Sequence, residues 1–310
     1  MLPRKKHRVM RKIKRALALA LLQTLLLQPP AYGWGDEGHT LINRFAAQSL
    51  PPEMPAFLRL AEGRLAYLGP EPDRWRAADA ILKTAQEPDH FINLERIAEL
   101  TQLPPTRYDF YRYLYARRAA ATHRADEYLP EKVGMQPYVT MEIYERLKVA
   151  FREYRRRQAE GKSSSMAEQN AVFYAGWLGH YVADGANPLH TTIHYNGWVG
   201  DNPRGYSTSN NLHWKFEGTF VERNREQLQF SGLVGRPVRL QKPFNDYMAF
   251  LRNSAAQVRP LYEIEKQGGF ENQGSPAARE FLRRRLAAGS QMLLNLWYTA
   301  WMESGTTGGN

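Results

Sequence analysis

Residues 167–190 read AEQNAVFYAGWLGHYVADGANPLH. As far as Gly185 the run is apolar on most sides of a helical projection, the pattern of a helix buried all round. Asn187 and Pro188 then stop it, because the residue before a proline avoids helical backbone. A helix buried on every side needs other helices around it, and the flanking sequence supplies them. Residues 39–50 carry Leu41, Ile42, Phe45, Ala46 and Leu50, and residues 75–87 and 107–122 are also helical in pattern. Residues 138–160 place Ile143, Leu147, Ala150, Phe151 and Tyr154 at helical spacing, with Arg152, Arg155, Arg156 and Arg157 outside. Residues 276–302 align Leu282, Leu286, Leu293, Leu296 and Trp297. Clear β alternation is absent, and 191–210 and 266–275 read as loops. These patterns predict a single all-α domain over residues 34–303, followed by a flexible tail, 304–310.

The first 33 residues have the order of a secretory signal peptide. Eight Lys or Arg and no acid occupy residues 1–15, a twelve-residue apolar run ALALALLQTLLL follows at 16–27, and Ala31 and Gly33 are small residues before a cleavage point. A membrane anchor is the competing reading, but a spanning helix needs about 20 apolar residues. Cleavage before Trp34 predicts a periplasmic or extracellular protein. It also changes the charge. The whole chain is formally +11, but without the leader 34 basic residues face 31 acidic ones, or +3. Basicity is therefore weak evidence for a nucleic-acid partner. Hydrophobic residues make up 43% of the chain, enough for a sizeable core without disulfides, for there is no Cys. Metal ligation is thereby confined to nitrogen and oxygen donors.

Such donors gather around the opening stretch. His180 and Asp184 are four apart, one turn along one helix face, and His190 lies just past the helix end, where it can fold back. A lone His on an apolar helix is usually a satisfied core imidazole. A carboxylate in the same apolar helix is costly to bury without a partner, which favours metal. His213 and Glu217 repeat the spacing in NLHWKFE, where Leu212, Phe216 and Phe220 call for burial rather than a solvated face. His39, His90 and Asp73 are unremarkable polar residues when taken alone.

Together these motifs resemble the superfamily of zinc-dependent phospholipase C and the single-strand-specific zinc nucleases of the S-one/P-one type. The matching positions run from residue 34 to about 221. The resemblance implies an all-α zinc hydrolase domain of that type and three zinc ions. It implies that Trp34 binds through its own α-amino group and carbonyl oxygen, with His39 as the next ligand. Asp73 and His90 match further ligands, His180 and Asp184 come from the central helix with Asp184 bridging two ions, and His190, His213 and Glu217 match the third ion's shell. It also implies a chemistry, attack of a metal-activated water on phosphorus, with Asp184 and Asp73 as the catalytic carboxylates and Asp73 orienting the nucleophile or taking its proton. No Ser or Cys nucleophile motif is visible.

Different residues point to different substrates. The short Trp34–His39 spacing is similar to the nuclease branch, whereas Glu217 matches phospholipase C, the nucleases usually having Asp there. A single-stranded nucleic acid or nucleotide would need aromatic faces for its bases. Phe91, Trp198, Tyr195 and Tyr206 lie beside ligands or in the adjacent loop, and His194 is near enough to touch substrate. Loop aromatics equally often pack on a core, or form an apolar rim for a phospholipid at a membrane surface. A nuclease is the first expectation, zinc-dependent phospholipase C the alternative, and a metal-bound but inactive binding protein the third. No feature calls for an obligate protein partner.

Overall fold

The computed structural model describes residues 34–305. The expected leader, 1–33, and most of the expected tail, 306–310, lie outside the described residues.

The long helices in chain order are α1 (Gly35–Gln48), α2 (Glu62–Leu68), α3 (Ala80–Gln86), α4 (Arg107–Ala120), α5 (Gln136–Ala159), α6 (Ser165–Ala186), α7 (Pro243–Ala255), α8 (Val258–Lys266) and α9 (Pro276–Ser304). Single-turn helices and 3₁₀ turns join them. No strand forms among the described residues, where pairing is limited to one isolated bridge between Tyr195 and Gly197. The all-α expectation is met. No described helix is long and apolar enough to cross a membrane.

The apolar run of the opening stretch becomes α6, and it is central. Ala171, Ala175, Leu178, Val182 and Ala183 are all fully buried against α1, α2, α5 and α9. Complete burial of a side chain such as Leu178 contributes about 1.5–3 kcal/mol. The small residues of α6 set how near its neighbours come. A Cβ on Gly179 would lie 1.8 Å from Asn43 Oδ1, and one on Gly176 2.4 Å from Leu68 Cβ. That proximity lets Asn43 Nδ2 donate to the carbonyls of Leu65 (2.8 Å) and Gly176 (3.0 Å), tying α1, α2 and α6 together. From the other side Trp297 Nε1 of α9 donates to the Ala175 carbonyl at 3.1 Å.

Two local expectations are corrected. Residues 75–87 are not one helix but a 3₁₀ turn, Trp75–Ala77, and then α3. Ala78 and Asp79 are extended between them, with ψ of 167° at both, and Asp79 is a typical residue to restart a helix. The helix bearing Glu217 is a π-helix, Trp214–Phe220, with His213 at its N-cap. Beyond Asn224 residues 225–242 form irregular turns before α7, and α7, α8 and α9 complete the helical scaffold.

Candidate metal centre

Each ligand-type side chain is aimed inward by identifiable backbone. His180 and Asp184 lie on the last two turns of α6, and both are fully buried. Asn187 takes an extended conformation before Pro188 (φ −79°, ψ 119°), so the chain leaves the helix and re-enters as a 3₁₀ turn, Pro188–Thr191. That turn returns His190 to the end of α6. His39 faces inward from α1, Asp73 from the short helix Glu71–Arg74, and His90 from the 3₁₀ turn Glu87–His90. His213 and Glu217 approach from the π-helix, a local distortion frequent at functional sites.

The side chains meet as three groups whose ligand atoms lie within 4.8 Å of one another: His39, His180 and Asp184; Asp73, His90 and His180; His190, His213 and Glu217. Asp184 is the hub. Its Oδ2 is 3.0 Å from His90 Nδ1 and 3.4 Å from His180 Nε2. Its Oδ1 is 3.4 Å from His39 Nε2 and 3.7 Å from His190 Nδ1. Asp73 faces His39, His90 and His180 at 3.8–3.9 Å, and Arg76 Nε braces its Oδ1 at 3.0 Å. In the third group Glu217 Oε2 is 2.7 Å from His213 Nε2 and 3.3 Å from His190 Nε2, and the two imidazole nitrogens are 3.1 Å apart.

These spacings fit a metal. Ligand atoms about 2.0–2.1 Å from a tetrahedral zinc ion stand roughly 3.3 Å from one another. The donor set of imidazole and carboxylate suits zinc. Several of these atoms also lack a hydrogen bond although buried: both nitrogens of His39, Nε2 of His90, Oδ1 of Asp184, Nδ1 of His213 and Oε1 of Glu217. Buried polar groups are normally paired, so such a concentration marks a place made for another group. Where ring nitrogens are engaged, the main chain fixes the ring. His180 Nδ1 donates to the Gly69 carbonyl at 2.9 Å and His190 Nδ1 to the His90 carbonyl at 2.7 Å, leaving each Nε2 for the site.

The electrostatics divide the imidazoles. Burial, with the neighbouring His180, pushes His39 below its ordinary value. Burial takes His90 down to about 4, so this ring is held neutral, the form that ligates. Burial opposes the ionisation of Asp184, but His190 and His180 beside it outweigh burial and hold its carboxyl well below the usual range. The reciprocal effect raises His190 to about 9: burial works against its charge, and Asp184 and Glu217 overcome it. Glu217 is lowered in the same way, by His213 and His190 against burial.

Two clostridial proteins of known structure are similar to this chain. The Clostridium perfringens alpha-toxin isolated from an avian strain aligns with a TM-score of 0.42 and 16% identity, over 88% of this chain and 64% of that one. The Clostridium absonum alpha-toxin aligns with a TM-score of 0.42 and 14% identity, over 87% of this chain and 66% of that one. The chain thus spans 64% of the length of the first. No family model matches, and no curated protein matches.

Every expected ligand side chain other than Trp34 is in one of the three groups. Trp34 is fully buried beside them: its Nε1 donates to the carbonyl of Ala183, the residue before Asp184, at 2.6 Å. A Cβ on Gly35 would lie 3.6 Å from the Glu217 carbonyl oxygen, so the chain at Trp34 and Gly35 runs between two ligand-bearing segments. The residues expected to touch substrate lie outside the groups. Trp198 is stacked on His194 with ring centres 3.9 Å apart and is also flanked by Tyr206 and Tyr262. His194 Nδ1 accepts the Val199 N–H at 3.1 Å, bracing the loop. Phe91 is partly buried, and its carbonyl accepts the Gln136 N–H at 3.2 Å. Tyr206 is buried, whereas Tyr195 is half exposed beside His213, ring centres 6.0 Å apart. His123 is exposed on the turn after α4.

Sequence reasoning missed Arg76 and Asn187. Arg76 follows Asp73 by three residues in a helical turn, a spacing that could have flagged it. Asn187 was legible only as a helix stop, because nothing in its neighbourhood announces that its amide reaches a residue 30 positions on.

Proposed function

We propose that this chain is an exported zinc-dependent phosphodiester hydrolase, and that it acts on the head-group ester of a phospholipid in preference to single-stranded nucleic acid. The observation that carries the hydrolase reading is the convergence of eight buried His, Asp and Glu side chains into three adjoining groups. Zinc held there would polarise a phosphoryl oxygen and acidify a water molecule. The chain's own residues perform the rest. Asp184 ties the groups together by presenting one oxygen to His39 and His190 and the other to His90 and His180. Asp73, braced by Arg76 at 3.0 Å, would by the same resemblance steer or receive the proton of the attacking water. His190, His213 and Glu217 form a separate group, reached from Asp184 Oδ1 through His190 at 3.7 Å, suited to the leaving oxygen.

Two points favour the phospholipid. Glu217 is the acid that the resemblance associates with the phospholipase branch. Two of the four aromatic faces expected to stack on bases are engaged within the protein, Trp198 on His194 and Tyr206 on Trp198 and Tyr262, which leaves Tyr195 half exposed. Export rests on the basic and apolar leader, and on the need for a free amine at Trp34 if that residue is to ligate.

The test uses the chain beginning at Trp34, assayed for bound zinc and offered phosphatidylcholine vesicles, single-stranded DNA and RNA, with and without chelator. Chelator-sensitive release of phosphocholine is the expected result. Release of nucleotides with no lipid cleaved would move the substrate to nucleic acid. Bound zinc with neither substrate cleaved would overturn the hydrolase reading.

A further inference from the structure

Asn187 makes more contacts at the metal centre than a helix stop requires. It is fully buried. Its backbone N–H donates to the Asp184 carbonyl at 3.0 Å and its own carbonyl accepts the His190 N–H at 3.1 Å. Its Oδ1 accepts the Leu189 N–H at 3.0 Å, which caps the 3₁₀ turn bearing His190. Its Nδ2 donates to Glu217 Oε2 at 2.8 Å, across 30 residues of sequence. The amide is therefore used at both ends. One end shapes the turn that presents His190, and the other holds the carboxylate of Glu217.

We infer that Asn187 is a positioning residue for the His190–His213–Glu217 group, and that its length is matched to a glutamate at 217. This rests on the reading of that group as a metal site. A carboxylate oxygen has lone pairs enough to accept the amide hydrogen and still ligate, and the hydrogen bond selects the rotamer that brings Oε2 within 2.7 Å of His213 Nε2. The other polar neighbours of Oε2 are His213 Nε2 and His190 Nε2, members of the same group, so the Asn187 amide is the hydrogen bond that reaches it from outside the group. Partners that orient metal ligands typically carry 10–100-fold in metal affinity. The matching of lengths follows from the fixed backbones. An aspartate at 217 would end one methylene short of the Asn187 amide, and a glutamine at 187 would reach out by the same methylene.

The experiment is zinc titration of the purified chain against a competing chelator, with total stoichiometry by elemental analysis. His213→Ala first identifies the ion held by this group: loss of one equivalent is expected, and unchanged binding would mean that the metal reading of the group has failed, independently of Asn187. Asn187→Leu is then expected to weaken that one ion by about 10–100-fold while the remaining zinc is held as before. If Asn187→Leu does not fold, the length exchange decides. Glu217→Asp alone should weaken the ion, and Glu217→Asp with Asn187→Gln should recover at least tenfold of the loss. A double variant no tighter than Glu217→Asp, or an Asn187→Leu chain with wild-type affinity, would overturn the inference and leave the metal site standing.

Discussion

Asp184 shows how one buried carboxylate can be tolerated near the end of an apolar helix. Its relative exposure is 0%, and four imidazoles lie within 3.0–3.7 Å, two at each oxygen. An isolated charge in such a place would cost several kcal/mol. Here the surrounding imidazoles offset that cost, and a metal held among them would offset it further. The two-sided geometry gives an asymmetric expectation. Asp184→Asn should lose two equivalents of zinc and at least ~10³-fold in hydrolysis, because the oxygen facing each side loses its charge at once. Glu217→Gln should lose no more than one equivalent. Elemental analysis of both variants after dialysis checks this. Equal losses would show that Asp184 serves a single ion.

At the scale of elements, the site depends on how closely α1 and α2 approach α6. Gly179 permits that approach, since any side chain there would meet Asn43 Oδ1 at 1.8 Å and disturb the amide that bonds both the α2 and α6 backbones. Gly179→Ala should therefore destabilise the fold by about 1–3 kcal/mol, the usual cost of overpacking a core, as read from the denaturation midpoint. A stability equal to wild type would mean that α1 can retreat freely. Because His180 is the next residue, the same variant should also weaken zinc binding.

The elements also show what the sequence made legible. Helices α5, α6 and α9 were readable because their apolar spacing is long and regular. The helical pattern over 75–87 is broken in the structure at Ala78 and Asp79, because Ala78 carries no signal of its extended backbone and only Asp79, a typical N-cap residue, hints at the restart. The π-helix was unreadable for a physical reason. His213 and Glu217 four apart share a face in either winding, and the wider turn shows only in the backbone. His180, Asp184, His190, His213 and Glu217 are legible from their spacing alone, whereas His39, Asp73 and His90 stand out only through the family resemblance, because their neighbours in the fold are remote in sequence. Asn187 was missed because its partner is set by the tertiary fold.

On the scale of the whole molecule, the ligands are drawn from segments spread between residues 39 and 217, and the chain at Trp34 threads between two of them. Trp34 has φ of 41°, a left-handed conformation that costs a bulky residue roughly 1–2 kcal/mol. That torsion exists only while a peptide bond joins residues 33 and 34. Cleavage there would remove the strain and turn an amide nitrogen, a poor ligand, into an amine with a free pKa of about 7.7–8.0, whose proton a metal can displace. The indole donates to the Ala183 carbonyl at 2.6 Å, which ties Trp34 to the end of α6 one residue before Asp184, and the Trp34 carbonyl keeps a second lone pair after accepting the Gly38 N–H at 3.1 Å. Processing would then complete the group of His39, His180 and Asp184. The expected outcome is that a chain beginning at Trp34 binds one more equivalent of tightly held zinc than the same chain with a single glycine added before Trp34. The ion at His190, His213 and Glu217 serves as the internal reference and should be unaffected. Identical stoichiometry and affinity in the two chains would make Trp34 an apolar anchor only, and would leave His39 and Asp184 to hold their ion without it.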